Sequence, residues 1–184
     1  IVPLILQNTF HLNESVIGAI MAIDNVLAVF LLPIIGTLSD KVDTPLGKRT
    51  PFILGGTAAA VFFMLLLPFA DAKGSLPLFV GALGLTLLSM AMYRSPAVAL
   101  MPDLTPKPLR SAANAVINLM GTAGGILVLV MGKVFATSAV ENALMSYTVY
   151  YAIIAGLMLV SLVIFLLTVR ETKWAAQMTQ DGLR

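Results

Sequence analysis

FILGGTAAAVFFMLLLPFA, residues 52–70, carries no charge and has Thr57 as its one clear polar group. A helix rises about 1.5 Å per residue and the bilayer core is about 30 Å thick, so about 20 apolar residues suffice to cross it. The stretch is therefore read as a membrane-spanning α-helix, which closes every backbone hydrogen bond within itself where lipid offers no partner. Working outward in both directions, four further segments meet the same requirement, at 15–38, 76–101, 112–137 and 147–169. Residues 1–7 are apolar but too short to span, and are read as the outer end of a truncated helix. The expectation is an all-α integral membrane protein with five complete spans and the remnant of a sixth.

Composition supports this reading. Hydrophobic residues make up 59% and charged residues 11%, against roughly half and a quarter in ordinary globular domains. The few charges gather in short clusters between apolar runs, so lipid is the solvent for most of the surface. The chain has no cysteine and a single histidine. Disulfide frameworks, thiolate metal clusters and cysteine nucleophiles are thereby excluded, and neither an HExxH pair nor a GxSxG elbow is present. We expect no enzyme, no metal and no cofactor. A formal charge of +2 does not argue for nucleic acid.

Proline and glycine punctuate the connections: Pro45 with Gly47, Lys73 with Gly74, and Pro102, Pro106 and Pro108. Pro33, Pro68 and Pro96 fall inside spans, where neighbouring helices and hydroxyls can satisfy the freed carbonyls. Lys41, Lys48, Arg49, Lys107, Arg110, Arg170, Lys173 and Arg184 collect on one side, whereas the other has Lys73, with Lys133 near a helix end. The positive-inside rule makes the loops at 39–51 and 102–111 and the tail cytoplasmic. Glu14 and Ser15 are expected to cap a helix start.

Two ionisable residues lie at membrane depth, Asp24 in the first complete span and Arg94 in the third. Each calls for a partner, a wet cavity or a function. Asn25 accompanies Asp24, Ser89 and Tyr93 accompany Arg94, and Asn114 and Asn118 stand one helical turn apart on the fourth span. The second and fifth spans are much poorer in polar groups, so two helices are expected to face lipid and three to line something wet. Asp24 lies roughly 9 Å further from the cytoplasmic side than Arg94. A buried ion pair and a shared cavity both remain open. Gly121, Gly124 and Gly125 form a smooth strip suited to close helix packing.

The segment GTLSDKVDTPLGKRTPFILGG, residues 36–56, is the most specific string. It resembles the loop signature of the major facilitator superfamily, with Gly36, Asp40, Gly47, Lys48 and Arg49 at the signature positions and four extra residues between Asp40 and Gly47. The longer loop ending in GKRTPFI is similar to the sucrose-transporter and glycoside-cation symporter branches. ALMPDLTPKPLRSAANAVINLMG, residues 99–121, with Asp103 and Arg110, resembles the connection between the fourth and fifth helices of that branch. The resemblance departs at Val98, where that branch carries arginine, and at Ala28 and Leu32, where melibiose-type sodium symporters carry acids.

The resemblance implies an N-terminal six-helix bundle (1–169), with 170–184 opening a central cytoplasmic loop and a second six-helix half missing. It also implies a secondary transporter in the cell membrane that moves a sugar or glycoside by alternating access. Asp24 would carry the coupling proton. Arg94 and Tyr93 would bind substrate or control Asp24, while Asn25, Asn114 and Asn118 would add hydrogen bonds. Asp40, Lys48 and Arg49 would stabilise the outward-open state through contacts with the missing half. The alternative is a non-transporting six-helix membrane module, or a transporter fragment without activity of its own.

Overall fold

The computed structural model describes residues 2–42, 44–139 and 145–180, without the side chains of Leu4, Asn8, Asp24, Leu27, Ala28 and residues 135–139, 145–146 and 178–180. Its elements are α1 (Val2–Asn8), α2 (Glu14–Lys41), α3 (Thr50–Ala72), α4 (Leu76–Leu104), α5 (Arg110–Ala139), α6 (Met145–Thr168) and α7 (Glu171–Gln180), with a single 3₁₀ turn at Lys107–Leu109. No strand occurs among the described residues. Among the described residues four apolar stretches, Thr50–Ala72, Leu76–Leu104, Lys107–Val134 and Tyr147–Thr168, are long enough to cross a membrane. In α2, which is helical over 28 residues, the described apolar stretch is Glu14–Ile23.

Several boundaries move outward from those expected. α4 runs on to Leu104, which places Pro102 inside the helix rather than in the connection. Helices continue through Pro33, Pro68 and Pro96 as well. α2 starts after Asn13, whose carbonyl accepts from the amides of Val16 and Ile17, and no side-chain hydrogen bond caps it. Of the two ways in which Glu14 and Ser15 are expected to cap this start, Glu14 contributes negative charge to the first turn and no side chain accepts from the amides. Residues 171–180, expected as the opening of a loop, form α7.

α3 is the most enclosed of the four spanning stretches, packing on α4 along one side and on α6 along another. The reason lies in its small residues. A Cβ on Gly56 would stand 2.8 Å from the Tyr93 amide nitrogen and 2.9 Å from the Tyr93 Cβ, so only glycine admits this approach of the two backbones. Towards the other end, Met64, Leu67, Phe79, Leu83, Tyr147 and Tyr151 form one buried cluster, into which α1 inserts Ile5 and Leu6. A smaller cluster of Ile53, Leu100 and Leu162 closes the end near Arg49. Phe62, Leu65 and Phe69 form an exposed stripe on the remaining face of α3, the side offered to lipid.

α5 is different: from Val116 to Val130 all of its residues are exposed. It touches α6 and, more sparsely, α4. Gly121, Gly124 and Gly125 have open space where a Cβ would project, so the smooth strip is present but meets no helix among the described residues.

His11 sits in the left-handed region at φ 49°. The Leu12 amide reaches back six residues to the Leu6 carbonyl at 3.2 Å, closing the turn that follows α1. The lone histidine thus ends a helix, and its exposed side chain bears on no described polar cluster.

Candidate functional site

The α2 to α3 connection and the ends of α4 and α6 meet at one end of the bundle. Arg49, immediately before α3, is its centre, with a side chain only 11% exposed. One guanidinium nitrogen, Nη2, lies 2.9 Å from Asp40 Oδ1 on α2. Nε donates to Asp103 Oδ2 on α4 at 2.6 Å, and Nη1 reaches Ser39 Oγ at 3.4 Å. The planar fork lets one cation face two carboxylates from different helices, which a lysine ammonium on its flexible stem does less rigidly. Both aspartates remain about half exposed, so water tempers each pair.

A second anion completes the site. Glu171, the first residue of α7 and itself buried, turns its carboxylate to the start of α3. Oε1 accepts from the Lys48 amide at 2.9 Å and Oε2 from the Thr50 amide at 2.9 Å. The Arg49 amide stands 3.2 Å from each oxygen, and the Thr50 hydroxyl donates to Oε2 at 2.7 Å. A helix start leaves several amides without intrahelical acceptors and carries partial positive charge, so a carboxylate there is doubly favoured. Gly47, at φ 117°, makes room for it: any Cβ would overlap the Glu171 carboxyl. Asp40, Lys48, Arg49, Asp103, Glu171 and Thr172 line a polar cavity of about 460 Å³.

Of the residues expected from the loop signature, the structure brings Asp40, Gly47 and Arg49 together and adds Asp103 from the second string. Lys48 joins through its backbone, with its side chain exposed. Arg110 stays outside, bonding the Thr105 carbonyl across the local turn at 3.2 Å. Gly36 packs on α4 instead, 3.1 Å from Ser95 Oγ where a Cβ would project. Ser95 donates across to the Leu32 carbonyl at 2.9 Å, a tie between α4 and α2 that sequence reasoning passes over. It misses Glu171 and Thr50 as well. The only sequence hint is an acid two residues beyond a span, opposite a Gly-Lys-Arg-Thr turn.

At membrane depth the expected residues whose side chains are described are not joined to one another. Arg94 is exposed and makes no ion pair among the described residues. It lies ten residues before the end of α4, and Asn118 eight residues after the start of α5, so both stand roughly 12–15 Å from the Arg49 end. Asn114 and Asn118 are exposed, Tyr93 is half-buried, and Asn25 bonds back to the Met21 carbonyl at 3.2 Å. Asp24 belongs to α2, but its side chain lies outside the described residues. The cavity at this depth, about 520 Å³ between α2 and α4, is lined among the described side chains by apolar residues such as Ile20, Ile23, Leu31, Val80 and Ala91, and Asn25, Tyr93, Arg94, Asn114 and Asn118 are not among them.

A third polar cluster sits at the opposite end, where α3 carries the buried Asp71 against Tyr147, Tyr150 and Tyr151 of α6. Asp71 Oδ1 and the Tyr151 hydroxyl have no hydrogen-bond partner among the described residues. Sequence polarity gives no warning, because Asp71 falls at the edge of an apolar run and reads as a helix end. No group of metal-ligating side chains occurs among the described residues.

No curated protein and no solved structure matches the chain. The family model of the Major Facilitator Superfamily matches residues 1–180, which takes in every described helix and both strings that meet at Arg49. This all-helical, multi-pass membrane protein therefore belongs to the Major Facilitator Superfamily, whose members are transporters rather than enzymes.

Proposed function

We propose that the chain forms one half of a secondary transporter for a sugar or glycoside, coupled to protons as a symporter and working by alternating access. The observation that carries this reading is the exposed Arg94. A guanidinium at the middle of a spanning helix, without an ion pair among the described residues, requires water or a ligand to offset its desolvation. Exposed Asn118 at the same height on α5 supplies amide groups suited to hydroxyls. Asp24 is the proton carrier in this reading, and Tyr93, Asn25 and Asn114 complete the pathway.

The Arg49 site serves as a latch at the cytoplasmic end. It ties α2 to α4 through one guanidinium and docks α7 beneath α3, so the segment leading out of α6 moves with the bundle. The 460 Å³ cavity beside it gives the second half of the transporter a polar surface to meet. In this reading loops 39–51 and 102–111 and the tail face the cytoplasm, which the distribution of Lys and Arg supports.

Uptake by the full-length protein in proteoliposomes tests the proposal. Disaccharides and glycosides are screened with and without an inward proton gradient, and gradient-driven accumulation of at least one is expected. Asp24→Asn should abolish accumulation while sparing exchange. No uptake of any sugar would reject the substrate class, and uphill uptake by the Asp24→Asn variant would reject the proton role.

A further inference from the structure

The α7 helix has a face that neither the Arg49 latch nor a transport pathway uses. Glu171, Thr172 and Ala175 turn inward and line the polar cavity with Leu104 at the end of α4. Successive residues of a helix are about 100° apart, so Arg170, Lys173, Trp174 and Gln177 fall on the opposite side and its flank. All four are exposed, Trp174 to 43%. Neither Arg170 nor Lys173 makes an ion pair among the described residues. An exposed indole flanked by two unengaged cations is a poor surface to offer bulk water.

Its height follows from the Glu171 cap. That carboxylate binds the amides of residues 48–50, so α7 begins level with the start of the α3 span. Arg170 follows the last residue of the α6 span, Thr168, after only Val169. Trp174 lies one turn further, and its amide bonds the Arg170 carbonyl at 3.1 Å. One turn rises about 5.4 Å, and the headgroup layer on each side of a bilayer is about 5–8 Å deep. Whether α7 runs outward or lies flat, Trp174 therefore remains within the headgroup layer. Indole is the side chain most suited to that layer, with an apolar body and one N–H donor.

From this placement we infer that Arg170, Lys173 and Trp174 form a docking surface for anionic phospholipid headgroups. The two cations match lipid phosphate and a net negative headgroup, and the indole inserts beside them. Because Glu171 fixes α7 to the start of α3, and α7 also packs on α4, lipid bound here contacts the same small helix that closes the Arg49 cavity. The inference rests on the spanning helices and the Glu171 cap, and is independent of any cargo.

Trp174 is the only tryptophan in the 184 residues, so its emission isolates α7. The full-length protein, with any tryptophan outside this stretch replaced by phenylalanine, is placed in nanodiscs of mixed phosphatidylcholine and phosphatidylglycerol. An equal fraction of lipid, brominated near the headgroup end of its chains, is supplied as one or the other. Quenching by the brominated phosphatidylglycerol is expected to be at least about fivefold stronger, the factor that either one of the two near-surface cations alone contributes. Arg170→Gln with Lys173→Gln should bring the ratio to about one, as should raising the salt in the unmutated protein, which screens the charges. Equal quenching by both lipids, an unchanged ratio in the double variant, or no quenching by either lipid would overturn the inference. The last result would mean that protein, not lipid, covers Trp174.

Discussion

Replacing Glu171 by alanine removes the acceptor for three amides and the Thr50 hydroxyl at once. Loss of a helix cap alone costs about 0.5–2 kcal/mol, and loss of an anion at a partly buried helix start adds up to about 2 kcal/mol. The buried Thr50 donors lose their partner too, at about 1–3 kcal/mol. These terms overlap, and the open cavity lets water reach the amides of Lys48 and Arg49. A net loss of about 2–4 kcal/mol follows. At roughly 2–4 °C per kcal/mol for a chain of this size, Tm should fall by about 5–15 °C.

Glu171→Gln keeps one carbonyl acceptor but turns an amide donor toward other donors, and should lose about half as much. Gly47→Ala should resemble Glu171→Ala, because its methyl would occupy the place of the carboxyl and its φ of 117° suits glycine. Lys48→Ala leaves the backbone bond intact and should stay within about 0.5 kcal/mol of the parent. Scanning fluorimetry on Trp174 reads the transition, with size-exclusion after heating as a second measure. Thiol-reactive dyes are unsuitable without cysteine. If Glu171→Ala melts within about 2 °C of the parent, or Lys48→Ala is the more damaging change, the cap is not what holds α7 in place.

Gly56→Ala should destabilise the bundle by about 1–3 kcal/mol, because its methyl meets Tyr93 backbone that cannot step aside; Gly55→Ala, which finds only the end of Met92 at 3.7 Å, should be nearly neutral in the same melt. Arg49→Lys keeps the charge but loses the fork, so Asp40 and Asp103 cannot both be held. Tm should drop by no more than a few degrees, given exposed pairs of at most about 1 kcal/mol each, while uptake in proteoliposomes falls well below the parent's.

Much of the helical order is legible from hydropathy, because each span needs a near-continuous apolar run and the described ends fall within about three residues of those expected. Pro102 shows where the reading slips: proline reads as punctuation, but α4 simply carries it inside. Polarity also signals Arg94, Asn114 and Asn118 by type, yet not their neighbours, since what faces α4 and α5 depends on helix rotation that no apolar run encodes. At the Arg49 end the loop signature points to Asp40, Gly47 and Arg49. Glu171 escapes because its partners are backbone amides, which have no sequence identity. Asp71 escapes for a related reason: burial at a helix end comes from the tyrosines of α6, far along the chain.

The Glu171 cap joins residues 121 positions apart, and that separation sets an order of events during synthesis. At roughly 5–20 residues per second, the start of α3 leaves the ribosome about 6–25 s before the glutamate that completes it. Throughout that interval the amides of residues 48–50 must find temporary acceptors at the membrane surface. Completion of the α3 start therefore waits for translation of α6 and the first residue of α7, and a ribosome stalled after Thr168 would hold a nascent bundle whose early helix is inserted but unfinished.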